Sequence, residues 1–166
     1  EDENEEEPEP MDFKLVAVNA SQMFLKDTTG SSLQRAAEAV ERIVLTHGHI
    51  DHIGGAAELA ERLGVEVVGP HRADQMLIDR VEEQARDFGV AGVRAVTPDR
   101  WLEEGDSVEI GGRSFQVLHC PGHAPGHVVF FDPQLRFALS GDVIFAGSVG
   151  RTDLPGGDHE TLIASI

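Results

Sequence analysis

His47-Gly48-His49-Ile50-Asp51-His52 places three imidazoles and one carboxylate within six residues. Imidazole nitrogen and carboxylate oxygen are the ligands that zinc and similar borderline metals take. The cluster follows the apolar run Ile43-Val44-Leu45, which reads as a buried strand, so the ligands stand where a strand ends and a loop begins. Alternate residues His47, His49 and Asp51 can converge on one side while His52 points elsewhere. Such spacing suits two neighbouring metal positions better than one. The plain alternative is a polar loop with chance histidines. The apolar lead-in, the following Gly54-Gly55 pair and two later clusters argue against it.

The first later cluster is His119-Cys120-Pro121-Gly122-His123-Ala124-Pro125-Gly126-His127. It follows a predicted strand, Ser114–Leu118, and its Gly and Pro residues suit a rigid ligand platform. The second is Ser140-Gly141-Asp142, at the end of a predicted strand Phe137–Leu139. A carboxylate flanked by Gly can approach a metal closely, and its two oxygens can bridge two metals.

These loops need strands and helices to hold them. Strands are expected at Phe13–Asn19, Gln22–Lys26, Ile43–Leu45, Val65–Val68, Val108–Ile110, Ser114–Leu118, Val128–Phe131 and Phe137–Leu139. Helices are expected at Ser31–Glu41 with Ser32 as N-cap, at Ala56–Leu63 ending at Gly64, at Arg72–Phe88, and from Glu160 to Ile166. Asp27-Thr28-Thr29-Gly30 signals a turn. Strands and helices alternate early and strands cluster later, which suggests a layered α/β architecture with mixed sheets.

Composition narrows the function classes. The chain has 166 residues, enough for one domain with a real core, and 40% of them are apolar. Its formal charge is −17, and the stretch Glu1–Pro10 carries seven of those negative charges, leaving −10 on the rest. That balance argues against nucleic-acid and membrane partners. Residues 1–10 are expected to be a disordered acidic tail, and 11–166 one domain. Cys120 is the single cysteine, so no intrachain disulfide forms. With no apolar run of transmembrane length and no basic-then-apolar leader, the expected location is the cytoplasm.

Thr46-His47-Gly48-His49-Ile50-Asp51-His52, then Pro121-Gly122-His123, then Gly141-Asp142 resemble the ordered motifs of the metallo-β-lactamase superfamily. The stretches Gly141-Asp142-Val143-Ile144-Phe145 and Gly150-Arg151-Thr152-Asp153-Leu154 are similar to the single-domain, glyoxalase II-like (hydroxyacylglutathione hydrolase-like) hydrolases. The resemblance covers roughly Arg42 to Ile166. It implies an αββα sandwich and a zinc-dependent thioester hydrolase, with iron or manganese as other metals. By the same resemblance His47, His49 and His123 hold a first metal, Asp51 and His52 a second, and Asp142 bridges them. The implied reaction is cleavage of a small-molecule glutathione thioester, such as S-D-lactoylglutathione, by a metal-activated hydroxide that Asp51 orients. Arg151 lies where similar hydrolases place a contact to the glutathione carboxylate; its plainer role is a loop pair with Asp153 or Asp158. His127, His119 and Cys120 read as residues that pack or orient their loop, His71 and His159 as ordinary histidines near helix starts, and Trp101 as a packing residue.

Two departures from the family pattern stand out. Family members carry a further metal-binding histidine on a late strand, and no histidine follows His159 here. Relatives also place an Asp-Pro-Gly strand end before the first helix, whereas Asp27–Gly30 runs straight into Ser31-Ser32-Leu33. The sandwich is therefore expected to be incomplete, lacking an early strand and a late C-terminal one. On that expectation Asp51 and His52 lack a third partner. The loss gives weight to two alternatives: a mononuclear iron persulfide dioxygenase, built on two histidines and a carboxylate, and a truncated, inactive metal-binding protein. A β-lactamase fits less well, because two-zinc enzymes of that group put cysteine or another histidine where Asp142 stands.

Overall fold

The computed structural model describes the backbone of Leu15–Val18 and residues 40–166. The expected strand Gln22–Lys26, the turn Asp27–Gly30, most of the helix Ser31–Glu41 with its Ser32 cap, and the tail 1–10 lie outside the described residues.

Strands β1 (Leu15–Val18), β2 (Val40–Val44) and β3 (Glu66–Val68) form a parallel sheet in the order β1-β2-β3. Between β2 and β3 come a single helical turn, α1 (Ile50–Ile53), and α2 (Ala56–Leu63). A 3₁₀ turn (Arg72–Asp74) then leads into α3 (Gln75–Asp79) and α4 (Val81–Asp87). Strands β4 (Ser107–Ile110), β5 (Arg113–His119), β6 (Val128–Asp132) and β7 (Phe137–Leu139) make an antiparallel sheet in chain order. A short hairpin, β8 (Ile144–Phe145) with β9 (Ser148–Val149), and a last helix, α5 (His159–Ser165), complete the described chain.

Side-chain alternation along the strands explains the layering. In β2 and β3, Ile43 and Val67 face one way, into a cluster with Ile53, Ala56, Ile78 and Val81 from the helices. Their neighbours Val44 and Val68 face the other way, onto Val108, Phe115, Val117, Val128 and Phe130 of the antiparallel sheet. The parallel sheet is thus covered on both faces, as such sheets require. The antiparallel sheet alternates likewise: Val129 points away from Val128 and Phe130, into a third cluster with Cys120, Val143 and Leu162 of α5. Helices, sheet, sheet and helix follow one another, which is the expected αββα sandwich.

Several boundaries differ from the sequence reading. Val40 and Glu41 belong to β2, not to a helix, because Val40 packs inward and the strand starts before its most apolar part. The expected helix Arg72–Phe88 is three pieces, since Arg80 leaves helical geometry with φ −102° and ψ 10°. Ile50–Ile53 is a helical turn where a loop was expected; its leading N–H, on Ile50, is accepted by Gln84 Oε1 at 3.2 Å. Helix α2 ends as expected, at Gly64 in the left-handed region with φ 66°.

Candidate metal centre

Three strand ends deliver the cluster. β2 runs into Thr46-His47-Gly48-His49, β5 into the loop 120–127, and β7 into Ser140-Gly141-Asp142. The two sheets are joined here by Val128 N–H, which donates to Thr46 O at 2.8 Å, while Leu45 N–H extends the β2–β3 pairing by donating to Val68 O at 2.9 Å. His49 keeps an extended backbone (φ −77°, ψ 149°) and starts α1, which carries Asp51 and His52.

The sequence-selected histidines meet. His49 Nδ1 and His123 Nε2 are 2.9 Å apart, and His123 Nε2 and His47 Nε2 are 3.2 Å apart. All three rings are buried. One tautomer is fixed by an outer nitrogen. His123 Nδ1–H donates to Arg151 O at 2.7 Å, so its Nε2 carries the lone pair. His47 Nδ1 is held by Thr46 Oγ1 at 3.1 Å, leaving Nε2 inward. Three buried imidazole nitrogens at these distances are spaced as ligands of a single cation would be. Tetrahedral zinc with nitrogen ligands would set such atoms about 3.3 Å apart. The donor set therefore fits a metal ion.

Asp142 stands beside this triad with its oxygens divided. Oδ2 lies 3.5 Å from His123 Nε2 and Oδ1 lies 3.4 Å from His52 Nε2. His52 Nε2 is also 3.4 Å from Asp51 Oδ2. His47, His52 and Asp142 form a second group able to hold an ion, sharing His47 with the first. Asp51 is the most open member, its side chain 71% exposed.

Electrostatics separates the two halves. Burial pushes His49 down to about 4, with the neighbouring His123 adding to it, and lowers His47 well below the usual imidazole range. Both imidazoles are neutral at neutral pH. Burial also opposes charge on His52, but the Asp142 and Asp51 carboxylates outweigh it and hold its pKa up at about 9. Those carboxylates are in turn lowered, chiefly by their hydrogen bonds to His52. The second half is thus a place built for positive charge.

The remaining sequence candidates hold the frame. His127 is fully buried, stacks on His47 with ring centroids 4.5 Å apart, and accepts the Asp142 N–H at Nε2 (3.0 Å). Burial keeps it neutral, with a pKa of about 3. It packs under His47 and holds the Asp142 backbone. His119 donates to Pro125 O at 2.9 Å and stacks on His71, which caps the 3₁₀ turn through Ala73 N–H. Cys120 is buried in the third cluster, and burial raises its thiol pKa. His159 opens α5 after its N-cap Asp158. Trp101 packs against the first cluster with Arg72 over its ring, 5.4 Å from the centroid.

Arg151 serves the site by its backbone, through the carbonyl that His123 holds. Its guanidinium makes two 2.7 Å bonds to Asp153, the plainer role foreseen for it. It also borders a cavity of about 660 Å³ that opens beside His49, Asp51, His123 and Asp142. The cavity's other walls include Ile50, Leu77, Phe88, Val93 and Leu154.

Sequence reasoning missed Asp74 and Gln84, which hold the ligand loops. Neither sits in a recognisable motif, and only the fold brings them to the loops. Gly122 was read only as a loop glycine; it lies at φ +130°, and a Cβ there would run into the backbone of Leu162. Helix α5 can seat on the His123 loop only because that position is glycine.

A sandwich of two sheets with histidines and carboxylates at the strand ends, grouped so that they could hold a metal ion, defines an α/β protein with a candidate metal site. The metallo-beta-lactamase superfamily model matches residues 18–166, and the chain belongs to that superfamily. It is 42% identical over 145 residues to hydroxyacylglutathione hydrolase GloC of Haemophilus influenzae, covering 82% of this chain and 68% of that protein. Among solved structures it resembles TTHA1623 in a di-iron-bound form (TM-score 0.70, 43% identity, 84% of this chain and 69% of that one). It also resembles the B3 metallo-beta-lactamase BLEG-1 (TM-score 0.69, 35% identity, 81% and 65%). The chain spans about two thirds of the length of these relatives.

Proposed function

We propose that this chain is the metal-site part of a zinc-dependent hydrolase that cleaves a glutathione thioester of the S-D-lactoylglutathione type. The observation that carries the reading is the convergence of three buried imidazole nitrogens beside a carboxylate whose oxygens face two sides. In this reading His47, His49 and His123 hold one ion, His52 and Asp51 a second, and Asp142 lies between them. Bound metal of this kind acidifies water and polarises a carbonyl.

The protein's own groups do the rest. His127 fixes Asp142 through its backbone, and the Arg151 carbonyl fixes the His123 tautomer. Asp51, open to the cavity, orients the attacking water by accepting its hydrogen bond. The cavity's apolar walls exclude water around the acyl group, and Arg151 meets a substrate carboxylate once it releases Asp153. The hydroxyacylglutathione hydrolase relative supports this substrate class. We assign residues 11–166 to the domain and 1–10 to a tail. A cytoplasmic setting goes with this reading, and the free Cys120 suits it. Among the described residues no helix is long and apolar enough to cross a membrane.

The test is turnover of S-D-lactoylglutathione, lost on chelation, restored by zinc, and abolished in His49→Ala. The second reading is a mononuclear iron persulfide dioxygenase, with which the likeness to ETHE1 of Myxococcus xanthus (TM-score 0.58, 27% identity) is compatible. One iron per chain with oxygen uptake on glutathione persulfide would replace the hydrolase reading with the dioxygenase. A wild-type chain that binds metal but turns over neither substrate would make it a binding protein.

A further inference from the structure

Asp74 lies at the end of the 3₁₀ turn after β3, wholly buried between the two histidine loops. Its Oδ2 accepts the Gly48 N–H at 2.7 Å and its Oδ1 accepts the Gly126 N–H at 2.5 Å. Gly48 separates His47 from His49, and Gly126 lies in the loop that carries His123 and His127. A carboxylate is acceptor-only on both oxygens, so one side chain can hold two donors at once.

Close approach is built in on both sides. A Cβ on Gly48 would come within 3.3 Å of Asp74 Cβ and 2.9 Å of Leu77 Cβ. A Cβ on Gly126 would come within 2.5 Å of Asp74 N. The turn itself is pinned: Asp74 N–H donates to His71 O at 3.0 Å, and His71 N–H donates to Gly126 O at 3.1 Å. Asp74 touches none of the inward-facing nitrogens. It joins the backbones of the two loops that bring them together.

We propose that Asp74 is a positioning residue that sets the spacing between the His47–His49 pair and His123. The proposal rests on the metal-site reading above. Ligand geometry must hold within about 0.5 Å for tight binding, and these loops come from different sheets, so their separation needs a strut. An amide in place of the carboxylate keeps the shape but turns an NH₂ toward one of the two N–H donors.

The experiment is a cobalt(II) titration of the apo full chain, read by its visible ligand-field spectrum, for wild type, Asp74→Asn and Val67→Ala. Val67 is a core residue of the first cluster and serves as a stability control. The expected result is a cobalt affinity at least tenfold weaker in Asp74→Asn, with an altered spectrum, while Val67→Ala loses thermal stability and keeps the wild-type titration. Equal affinity and spectrum in Asp74→Asn and wild type would overturn the role of Asp74 alone, as would an equal loss in Val67→Ala. No cobalt binding by wild type would overturn the metal-site reading and this inference with it. Should Asp74→Asn not fold, the wild-type amide resonances decide. Gly48 and Gly126 N–H must be protected from exchange and must both shift as metal is added; two unmoved resonances overturn the proposal.

Discussion

Leu162→Ala tests whether α5 braces the His123 loop. Leu162 is fully buried among Cys120, Val129 and Val143. Leucine-to-alanine changes cost about 2–5 kcal/mol, more where the site cannot collapse. Here collapse is blocked. Asp158 N–H donates to Gly122 O at 2.8 Å, and Ser165 Oγ donates to Pro121 O at 2.8 Å, so the helix is tied at both ends to the same loop. The cost should lie in the upper part of the range, about 3–5 kcal/mol. For a chain of this size that lowers the melting temperature by about 6–20 °C. Ile163 sits on the same helix but is 52% exposed, and Ile163→Ala should change stability by less than about 0.5 kcal/mol. Leu162→Met, close in volume, should cost under about 1.5 kcal/mol. Denaturant unfolding of the three variants measures all of this. A loss below about 1 kcal/mol in Leu162→Ala, or equal losses at 162 and 163, would refute the packing argument.

Two further outcomes follow from other parts of the structure. Gly150→Ala puts a Cβ onto Asp142 O and within 3.1 Å of His123 Nδ1; the variant should keep its far-ultraviolet spectrum and bind zinc at least tenfold more weakly in a competition titration, and unchanged zinc affinity would contradict it. Asp132 is held down at about 2, first by Arg113 and then by the N–H groups of Leu135 and Gln134. Because its folded pKa is depressed, its stabilisation is present above the ordinary carboxylate value and is lost as pH falls through about 2. The stability gap between wild type and Asp132→Asn should be full at about pH 5 and shrink to roughly half by about pH 3, measured by denaturant midpoints; a gap that widens on acidification would count against it.

Local pattern made the ligand loops legible. Three imidazoles and a carboxylate in six residues, and two later clusters, each preceded by an apolar strand, put His47, His49, His123 and Asp142 at strand ends; that those ends meet was implied by the family resemblance. The alternation of strands and helices pointed only to a layered α/β architecture; the αββα order was implied by the family resemblance, and the structure bears it out with Ile43 and Val44 facing opposite layers. What the sequence concealed is whatever depends on distant segments meeting. Asp74 reads as an ordinary acidic residue in a helix, and only the packing of α3 under both loops turns it into a double acceptor. Gln84 is similar: its amide joins α4 to the start of α1 and to Leu77 O, which no local window reveals. Helix boundaries failed where periodicity continued through a break, as at Arg80, whose charged side chain fits a helix face although its backbone leaves it.

The central claim is that the inward nitrogens and the Asp142 oxygens hold the catalytic metal. X-ray absorption of the zinc-loaded chain tests it most directly. The account predicts a shell of nitrogen and oxygen alone at about 2.0–2.2 Å, with imidazole scattering lost in part in His49→Ala. A sulfur scatterer at about 2.3 Å or an unchanged shell in His49→Ala would contradict it.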